Sequence, residues 1–214
     1  MKLVVLGPNG RIGKQVVRRA LTEGHRVTAI ARTPEKVTTA HDDNLTVIAG
    51  DVFDRESLDA AIASADAVIY AVGSAGRGPT ITRSTGVANV AKMMRANNVA
   101  RLVVVSPSAV AISPKATLLR RIALRFFVHK LYRNPFNDVE RMEDELRHTE
   151  LHWSVVRSSS LRDTPPSGTY TVVPDGELRH ERPVSVGDLA DFLVRHAADK
   201  SASRDTVTVT GARK

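Results

Sequence analysis

The chain has 214 residues, a formal net charge of +8 and no cysteine. This length is typical of one domain that buries enough apolar surface to fold without disulfides or a structural metal. The absence of cysteine excludes disulfide scaffolds, thiolate metal sites and cysteine nucleophiles, and it fits a reducing compartment. No apolar run is long enough to cross a membrane, and no signal-peptide pattern precedes the first glycine loop. We therefore expect one cytoplasmic domain over residues 1–214.

The positive charge is concentrated in the middle of the chain. Residues 67–137 contain eleven Lys or Arg and no Asp or Glu, whereas the remainder has 20 basic and 23 acidic residues. Such a region predicts an anionic partner: a phosphate, a carboxylate, nucleic acid or a membrane surface. Composition alone leaves these alternatives open.

Short apolar strands alternate with helices along the first half. We predict strands at 2–6, 25–31, 45–49, 67–72 and 101–105, a first helix that follows the glycine turn at 7–13 and runs to Glu23, and helices at 55–64 and 81–97. This alternation is typical of a parallel sheet covered on both faces by helices.

The second half is less regular. We predict a helix at 115–132, a break at Asn134-Pro135, and a further helix that Asn137 or Asp138 caps and that ends near His148. Strands are expected at 153–157, 169–173 and 206–210, and a last helix at 187–198. The whole pattern predicts an α/β fold: a single Rossmann-like, doubly wound parallel sheet with a small C-terminal extension on the substrate side.

A glycine loop joins the first strand to the first helix. In the pattern Gly7-x-x-Gly10-x-x-Gly13, one glycine makes the tight turn, one lets the backbone approach a pyrophosphate, and one lets helix and strand pack closely. The free N–H groups at the start of the helix then bind phosphate, although a purely structural turn remains an alternative. The predicted binding residues of the loop are Gly7, Asn9, Gly10, Arg11, Ile12 and Gly13.

The end of the second strand bears on the choice of cofactor. The strand ends with Arg32 and has no carboxylate there that could bind the ribose 2′-hydroxyl of NAD. An arginine fork suits a 2′-phosphate in shape and charge, and Arg11 can assist it. We therefore expect NADP(H) rather than NAD(H), the alternative being that Arg32 is simply solvated.

Two further segments follow predicted strands. Asp51 and Val52 follow the third strand and are predicted to flank the adenine ring, and the small residues at 71–73 are predicted to pass the ribose. Both segments lie at carboxyl ends of parallel strands, where ligands of such folds bind. The residues of the second segment are Ala71, Val72 and Gly73. We expect no metal site, because a helix end separates the one His pair with i, i+4 spacing, His148 and His152.

These residues together resemble the short-chain dehydrogenase/reductase superfamily in its atypical, NAD(P)H-binding branch. The matching parts are GPNGRIG at 7–13, Arg32, GDV at 50–52, AVG at 71–73 and a serine pair after the fifth strand. The segments 137–172 and 184–197 are similar to the biliverdin-IXβ reductase (flavin reductase-like) members of that branch. The resemblance covers nearly the whole chain.

The chain lacks the Tyr-x-x-x-Lys pair of classical members. The residues four positions after its three tyrosines are Ser74, Phe136 and Pro174. In the flavin reductase-like members, hydride transfer from NADPH needs mainly proximity and orientation of the acceptor. The resemblance therefore implies an oxidoreductase that reduces a small planar acceptor of flavin or quinone type without this pair. It implies a substrate-facing catalytic hydroxyl at Ser106 or Ser108.

Other functions remain open at this stage. A non-catalytic NAD(P)H sensor resembling the NmrA-like regulators also needs no Tyr–Lys pair, and an epimerase-like enzyme is a further alternative. We expect a small-molecule acceptor, which an anionic group would suit, and we leave a homodimer or a protein partner open. One basic helix without a recognised motif does not favour nucleic acid.

A basic stripe at 121–133 has no assigned role. In a helix, Arg121, Arg125, His129 and Arg133 would lie on one face. The stripe is consistent with a solvated face, a lid over the acceptor site, a subunit interface or a contact with an anionic surface.

Overall fold

A computed structural model describes residues 1–37, 42–73, 76, 78–110, 119, 122, 126, 133–174, 181–199, 201 and 204–212. The strands in these ranges are β1 (Lys2–Leu6), β2 (Arg26–Ala31), β3 (Leu45–Ala49), β4 (Ala67–Tyr70), β5 (Arg101–Pro107), β6 (His152–Ser158), β7 (Leu161–Arg162), β8 (Tyr170–Pro174), β9 (Val184–Ser185) and β10 (Asp205–Gly211). The helices in the same ranges are α1 (Arg11–Thr22), α2 (Arg55–Ile62), α3 (Thr82–Ala96), α4 (Arg133–Arg147) and α5 (Val186–Ala198).

Eight of the strands form one sheet in the order β3-β2-β1-β4-β5-β6-β10-β8. All neighbours pair in parallel except β8, which runs antiparallel to β10 at the edge. From β1 the chain first adds β2 and β3 on one side of the sheet, and it then crosses over to add β4, β5 and β6 on the other side. Parallel sheets of this kind bind ligands beyond the carboxyl ends of their strands at this switch point, which here lies between β1 and β4. β7 and β9 pair separately as a small second sheet. The predicted fold class is confirmed.

Alternate residues of the central strands face two helical layers. In β1, Val4 and Leu6 pack with α2, α3 and α4, while Leu3 and Val5 pack with α1 and α5. All four side chains are at most 1% exposed. Burial on both faces explains why residues 3–6 of β1 are all apolar, and it fixes the position of the loop that follows the strand.

The start of α4 differs from the prediction. Asn134 and Pro135 lie in the first turn of α4 as it is described, so this helix already includes them, while the helix that they were predicted to end lies outside the described residues. The missing N–H of a proline is tolerated in a first turn, because that N–H would have no partner inside the helix.

The predicted cap of this helix is also wrong, because Asn137 and Asp138 lie inside α4. The buried Asp138 carboxylate instead accepts hydrogen bonds from the N–H groups of Arg83 at 3.0 Å and Ser84 at 3.1 Å, in the first turn of α3. A carboxylate at a helix N-terminus satisfies orphan donors and complements the helix dipole. Asp138 therefore caps the neighbouring helix.

The helix predicted at 115–132 lies almost entirely outside the described residues, as do Arg121, Arg125 and His129 of the basic stripe. The three described residues of this segment, Leu119, Ile122 and Phe126, are helical. Arg133, the last residue of the stripe, begins α4. Among the described helices, none combines the length and the apolar character needed to cross a membrane.

Candidate functional site

The glycine loop makes a tight turn against the first turn of α1. Gly7 has φ +81°, and a Cβ at Gly13 would lie 2.1 Å from the Gly7 carbonyl oxygen. The N–H of Gly10 donates to that same carbonyl at 3.0 Å. No side chain with a Cβ fits at Gly13 without moving the backbone, which explains this part of the motif.

The first turn of α1 has free hydrogen-bond donors. Gly10 is the N-cap and has no side chain that could cap the helix. Within the described part of the chain, the N–H groups of Arg11, Ile12 and Gly13 have no hydrogen-bond acceptor. Unpaired N–H groups at the positive end of a helix form an anion-binding site, so the loop fits a pyrophosphate group.

The segment after β4 passes directly over this turn. A Cβ at Gly7 would lie 2.7 Å from the carbonyl oxygen of Ala71 and 3.2 Å from the Cα of Val72. The N–H of Ala71 still donates to the carbonyl of Leu6 at 3.0 Å. Ala71 and Val72 are half-buried and Gly73 is exposed, so the sequence-predicted segment and the glycine loop do meet at one edge of the sheet.

The end of β2 joins the same region. The side-chain amide of Asn9 donates to the carbonyl of Thr33 at 2.9 Å, which ties the glycine loop to β2. The Arg32 side chain is 82% exposed, and its Nε lies 3.7 Å from an Asp51 oxygen. An ion pair of this length and exposure contributes little free energy, so the guanidinium is available to another anion.

Asp51 and Val52 have different environments. The Asp51 carboxylate oxygen that does not face Arg32 accepts a hydrogen bond from the N–H of Phe53 at 3.0 Å. The Asp51 side chain is one-third exposed. Val52 is buried in the apolar core, and its carbonyl accepts a hydrogen bond from Asn89 at 3.0 Å. The next residue, Phe53, is 46% exposed and offers the apolar surface that sequence reasoning had assigned to Val52.

Arg11 has a partner that the sequence did not indicate. Its Nε donates to the Asp163 carboxylate at 2.7 Å, and its Nη2 donates to the carbonyl of Leu161 at 3.2 Å. Both side chains are well exposed, with 47% of Arg11 and 77% of Asp163 accessible. The segment after β6 therefore reaches back to the first turn of α1.

The structure distinguishes the two candidate serines. Ser106 is fully buried, and its hydroxyl donates to Glu143 at 2.8 Å. Glu143 forms a buried ion pair with Arg157, whose Nη2 lies at 2.7 Å. Ser108 lies just beyond β5, is 8% exposed, and its hydroxyl makes no hydrogen bond within the described part of the chain.

The described tyrosines are not activated as acids. Burial raises the pKa of Tyr70, whose hydroxyl donates to the carbonyl of Thr82 at 3.0 Å. Burial, together with the hydrogen bond to Asp191, raises the pKa of Tyr170 to about 12. A classical dyad lowers the pKa of its tyrosine, so neither phenol is suited to that chemistry. The described residues also contain no group of three or more His, Asp or Glu that could hold a metal ion.

Curated proteins show similarity over most of the chain. The photosystem II assembly factor Ycf39 of Synechocystis is 23% identical over the whole chain, which spans 63% of the length of Ycf39. The uncharacterized protein YwnB of Bacillus subtilis is 24% identical over 91% of the chain and 89% of its own length.

Solved structures share the fold. A short-chain dehydrogenase/reductase from Veillonella parvula, crystallised with NADP, is similar with a TM-score of 0.81 and 19% identity over 98% of this chain and 94% of its own. ChuY from Escherichia coli O157:H7, named an anaerobillin reductase, has a TM-score of 0.77 and 17% sequence identity over 100% of this chain and 98% of its own.

A family model described as NAD(P)H-binding matches residues 7–200, a range that contains the glycine loop, Arg32, the two segments after β3 and β4, and the serine pair. The chain belongs to this NAD(P)H-binding family.

Proposed function

We propose that the protein is an NADPH-dependent reductase of a small planar acceptor of flavin or quinone type. The observation that carries this proposal is the pair of uncommitted groups at one edge of the sheet. These are the free N–H groups of the first turn of α1 and the exposed guanidinium of Arg32. NADPH supplies the hydride when it is bound.

In this proposal each group has one task toward the cofactor. The N–H groups of Arg11, Ile12 and Gly13 bind the pyrophosphate, and the glycines at 7 and 10 allow the close approach. Arg32 binds the 2′-phosphate, and Arg11 contributes positive charge beside it. Asp51 contacts the adenine, with Val52 contributing only its backbone and Phe53 the apolar surface. Ala71, Val72 and Gly73 line the path toward the nicotinamide.

On the acceptor side, we assign the hydrogen-bonding role to Ser108. The Ser108 hydroxyl is uncommitted, whereas the Ser106 hydroxyl is held by Glu143. Ser106 therefore helps to fix the end of β5, and Ser108 orients an acceptor carbonyl. Because the described tyrosines are poor proton donors, solvent supplies the proton that the reduced acceptor takes up.

Titration of the wild type with NADPH and NADH tests the cofactor assignment. The fluorescence of the reduced nicotinamide is the suitable readout, because Trp153 lies at the amino end of β6, away from the proposed site. We expect Arg32→Ala to weaken NADPH binding about tenfold and leave NADH binding unchanged, since a charge-assisted hydrogen bond contributes about 1.5–3 kcal/mol. Arg26→Ala, at the opposite end of β2, is the matched control. Tighter binding of NADH than NADPH by the wild type would refute the assignment.

Stopped-flow oxidation of NADPH against a panel of flavins and quinones tests the enzymatic role. We expect turnover with at least one acceptor and a lower rate for Ser108→Ala, with NADPH affinity unchanged. Ser106→Ala is the comparison, because it should lower stability rather than turnover selectively.

A non-catalytic NADPH sensor is the second candidate. It is favoured by the absence of an activated tyrosine among the described residues and by the name of the similar protein Ycf39, a photosystem II assembly factor. Tight NADPH binding without turnover of any acceptor would support the sensor and exclude the reductase. An epimerase-like enzyme is disfavoured because it would need the missing Tyr–Lys pair.

A further inference from the structure

One arginine near the carboxyl ends of the strands has no partner for its charge. Arg83 lies in the first turn of α3 and is half-buried. Its backbone groups are paired, because its N–H donates to Asp138 at 3.0 Å and its carbonyl accepts from the Tyr70 hydroxyl at 3.3 Å. Its guanidinium, in contrast, makes no hydrogen bond and no ion pair with any residue that the structure describes.

The position of Arg83 in α3 places its side chain over the sheet rather than on the outer face of the helix. Val87, Val90 and Met94 follow it at spacings of four, three and four residues, and all three are fully buried in the core. Arg83 therefore begins on the sheet-facing side, one turn before Val87. Helical side chains lean toward the amino end of their helix, so this one extends past Tyr70, the last residue of β4.

The folded chain supplies no anion for this guanidinium. Burial lowers the pKa of Arg83, because its charged form loses hydration there. The Asp138 carboxylate is already engaged by the N–H groups of Arg83 and Ser84 and by the Ser84 hydroxyl at 2.6 Å. Neither α3 nor the segments on either side of it contain another acid, since residues 67–137 have no Asp or Glu. A bound anion would compensate the desolvation of the unpaired charge.

The location of Arg83 favours the acceptor over the cofactor as the source of this anion. In the proposed binding mode, the first turn of α1 binds the pyrophosphate and Arg32 binds the 2′-phosphate, so the phosphates of NADPH already have partners. Arg83 lies beside the end of β4, between β1 with its glycine loop and β5, which leads to Ser108. The nicotinamide that is proposed to lie there carries no further negative group.

We propose that Arg83 binds an anionic group of the acceptor, a carboxylate or a phosphate, and so gives the protein a preference for acceptors that carry one. The ring of the acceptor lies against the nicotinamide, and its charged substituent accepts paired hydrogen bonds from the guanidinium. This inference rests on the function proposed above, because it assigns a class of acceptor to the same site.

Two matched pairs of compounds test the proposal. Flavin mononucleotide and riboflavin share one ring system and differ in a phosphate, and naphthoquinone sulfonate and naphthoquinone differ in a sulfonate. Binding is measured by titration of the protein saturated with NADP⁺, which cannot transfer a hydride, and turnover is measured separately by oxidation of NADPH. We expect the wild type to bind the anionic member of at least one pair about tenfold more tightly than the neutral member.

Variants of Arg83 assign this preference to its charge. Arg83→Met should abolish the preference, because methionine retains an apolar stem without the charge, and Arg83→Lys should retain part of it. Arg95→Met, on the exposed last turn of α3, is the matched control and should keep the preference. Arg83→Met should bind NADPH like the wild type and should resist urea at least as well, because an unpaired guanidinium gains nothing from folding.

The outcomes separate this inference from the proposed reaction. The inference is overturned if the wild type shows no preference in either pair, or if Arg83→Met keeps the preference. It is also overturned if Arg83→Met weakens NADPH binding, which would assign Arg83 to the cofactor, or if it only lowers stability. Binding of flavin mononucleotide through Arg83 without turnover of any acceptor would refute the reductase and support the anion site. Equal turnover of both members of each pair would support the reductase and refute the anion site.

Discussion

The two ends of the central sheet use polar groups in opposite ways. At the carboxyl ends of β1 and β2, the donors of the glycine loop and the Arg32 guanidinium are exposed and largely uncommitted. At the amino ends of β5, β6 and β10, the buried Ser154 hydroxyl instead hydrogen-bonds with the side chains of Arg101, Asp205 and His196. A polar group indicates a ligand site when it lacks a partner beside open space, and it indicates a structural role when its partners are already present.

The polar residues around Ser154, at the amino ends of these strands, would suggest a catalytic site if only their residue types were considered. Ser154 donates to Asp205 and lies 3.1 Å from His196 Nε2, so that a serine, a histidine and an aspartate meet. Arg101 donates to the Ser154 hydroxyl at 2.8 Å and to the carbonyl of His196 at 2.6 Å. The Ser154 hydroxyl is fully buried, so no substrate can reach it. The cluster instead ties α5 to the amino ends of three strands.

Arg101→Met should have the largest effect on stability. The substitution removes the hydrogen bonds that the buried Arg101 guanidinium donates to the Ser154 hydroxyl and to the His196 carbonyl, and hydrogen bonds that involve a charged group contribute about 1.5–3 kcal/mol each. Urea unfolding should show this loss, while NADPH affinity of the folded protein stays unchanged. Arg95→Met, on the exposed last turn of α3, is the control. If Arg101→Met instead lowered NADPH affinity at unchanged stability, Arg101 would have to be assigned to the cofactor site rather than to the stability of the fold.

Gly13→Ala should damage the other end of the sheet. The new Cβ would lie 2.1 Å from the Gly7 carbonyl oxygen, so the turn must move, at a cost of about 1–3 kcal/mol. We expect NADPH binding to fall at the same time, as calorimetry or fluorescence titration would show. Gly78→Ala adds a Cβ with no heavy atom within 4 Å and should be neutral for stability. Unchanged NADPH affinity in Gly13→Ala would argue against the proposed pyrophosphate site.

Asp163→Asn should have a smaller effect, and on binding rather than stability. The exposed ion pair with Arg11 contributes at most about 1 kcal/mol to folding. Removing the carboxylate frees Arg11 and takes a negative charge away from the proposed phosphates, so NADPH should bind a few-fold more tightly. Weaker binding would mean that Asp163 positions Arg11 rather than competing for it. Glu150→Gln, which changes another exposed ion pair with Arg204, is the control.

The smallest expected effect is a pH dependence of the free energy of unfolding that comes from His196, beside the amino end of β6. Burial, followed by the nearby Arg101 charge, lowers the pKa of His196, so the unfolded chain takes up a proton more readily than the folded one. Stability from this group is therefore complete above the ordinary histidine pKa of about 6.5 and declines as the pH falls below it. In urea unfolding over a pH series, His196→Gln should flatten this decline. Identical slopes for the wild type and His196→Gln would contradict the assignment.

Features encoded by neighbouring residues were predictable from the sequence. The spans of β1 and β3 agree with the prediction, and α2 and α3 begin within one residue of it. The glycine loop lies at the first strand–helix turn, as its spacing indicated, and Arg32 follows directly after β2. The short pair β7 and β9 was missed, because two-residue strands carry no detectable periodicity.

Contacts between distant residues were not predictable in this way. The choice between Ser106 and Ser108 depends on Glu143, which lies 37 residues from Ser106 in the chain. The cap of α3 comes from Asp138, 54 residues from Ser84. Nothing in the local pattern of one segment records which side chain of another segment will lie against it.

The sequence by itself determined the alternation of strands and helices, the place of the glycine loop, the basic end of β2 and the absence of a Tyr–Lys pair. These are local properties, since periodicity and spacing act over a few residues. Only the tertiary structure decided which polar groups are already paired. In the folded protein, the hydroxyl groups of Ser106 and Ser154 hydrogen-bond to other side chains of the chain. The hydrogen-bond donors at the carboxyl ends of β1 and β2 remain available to a ligand. That distinction depends on packing between residues far apart in sequence, because desolvation and hydrogen bonding are settled only when the layers meet.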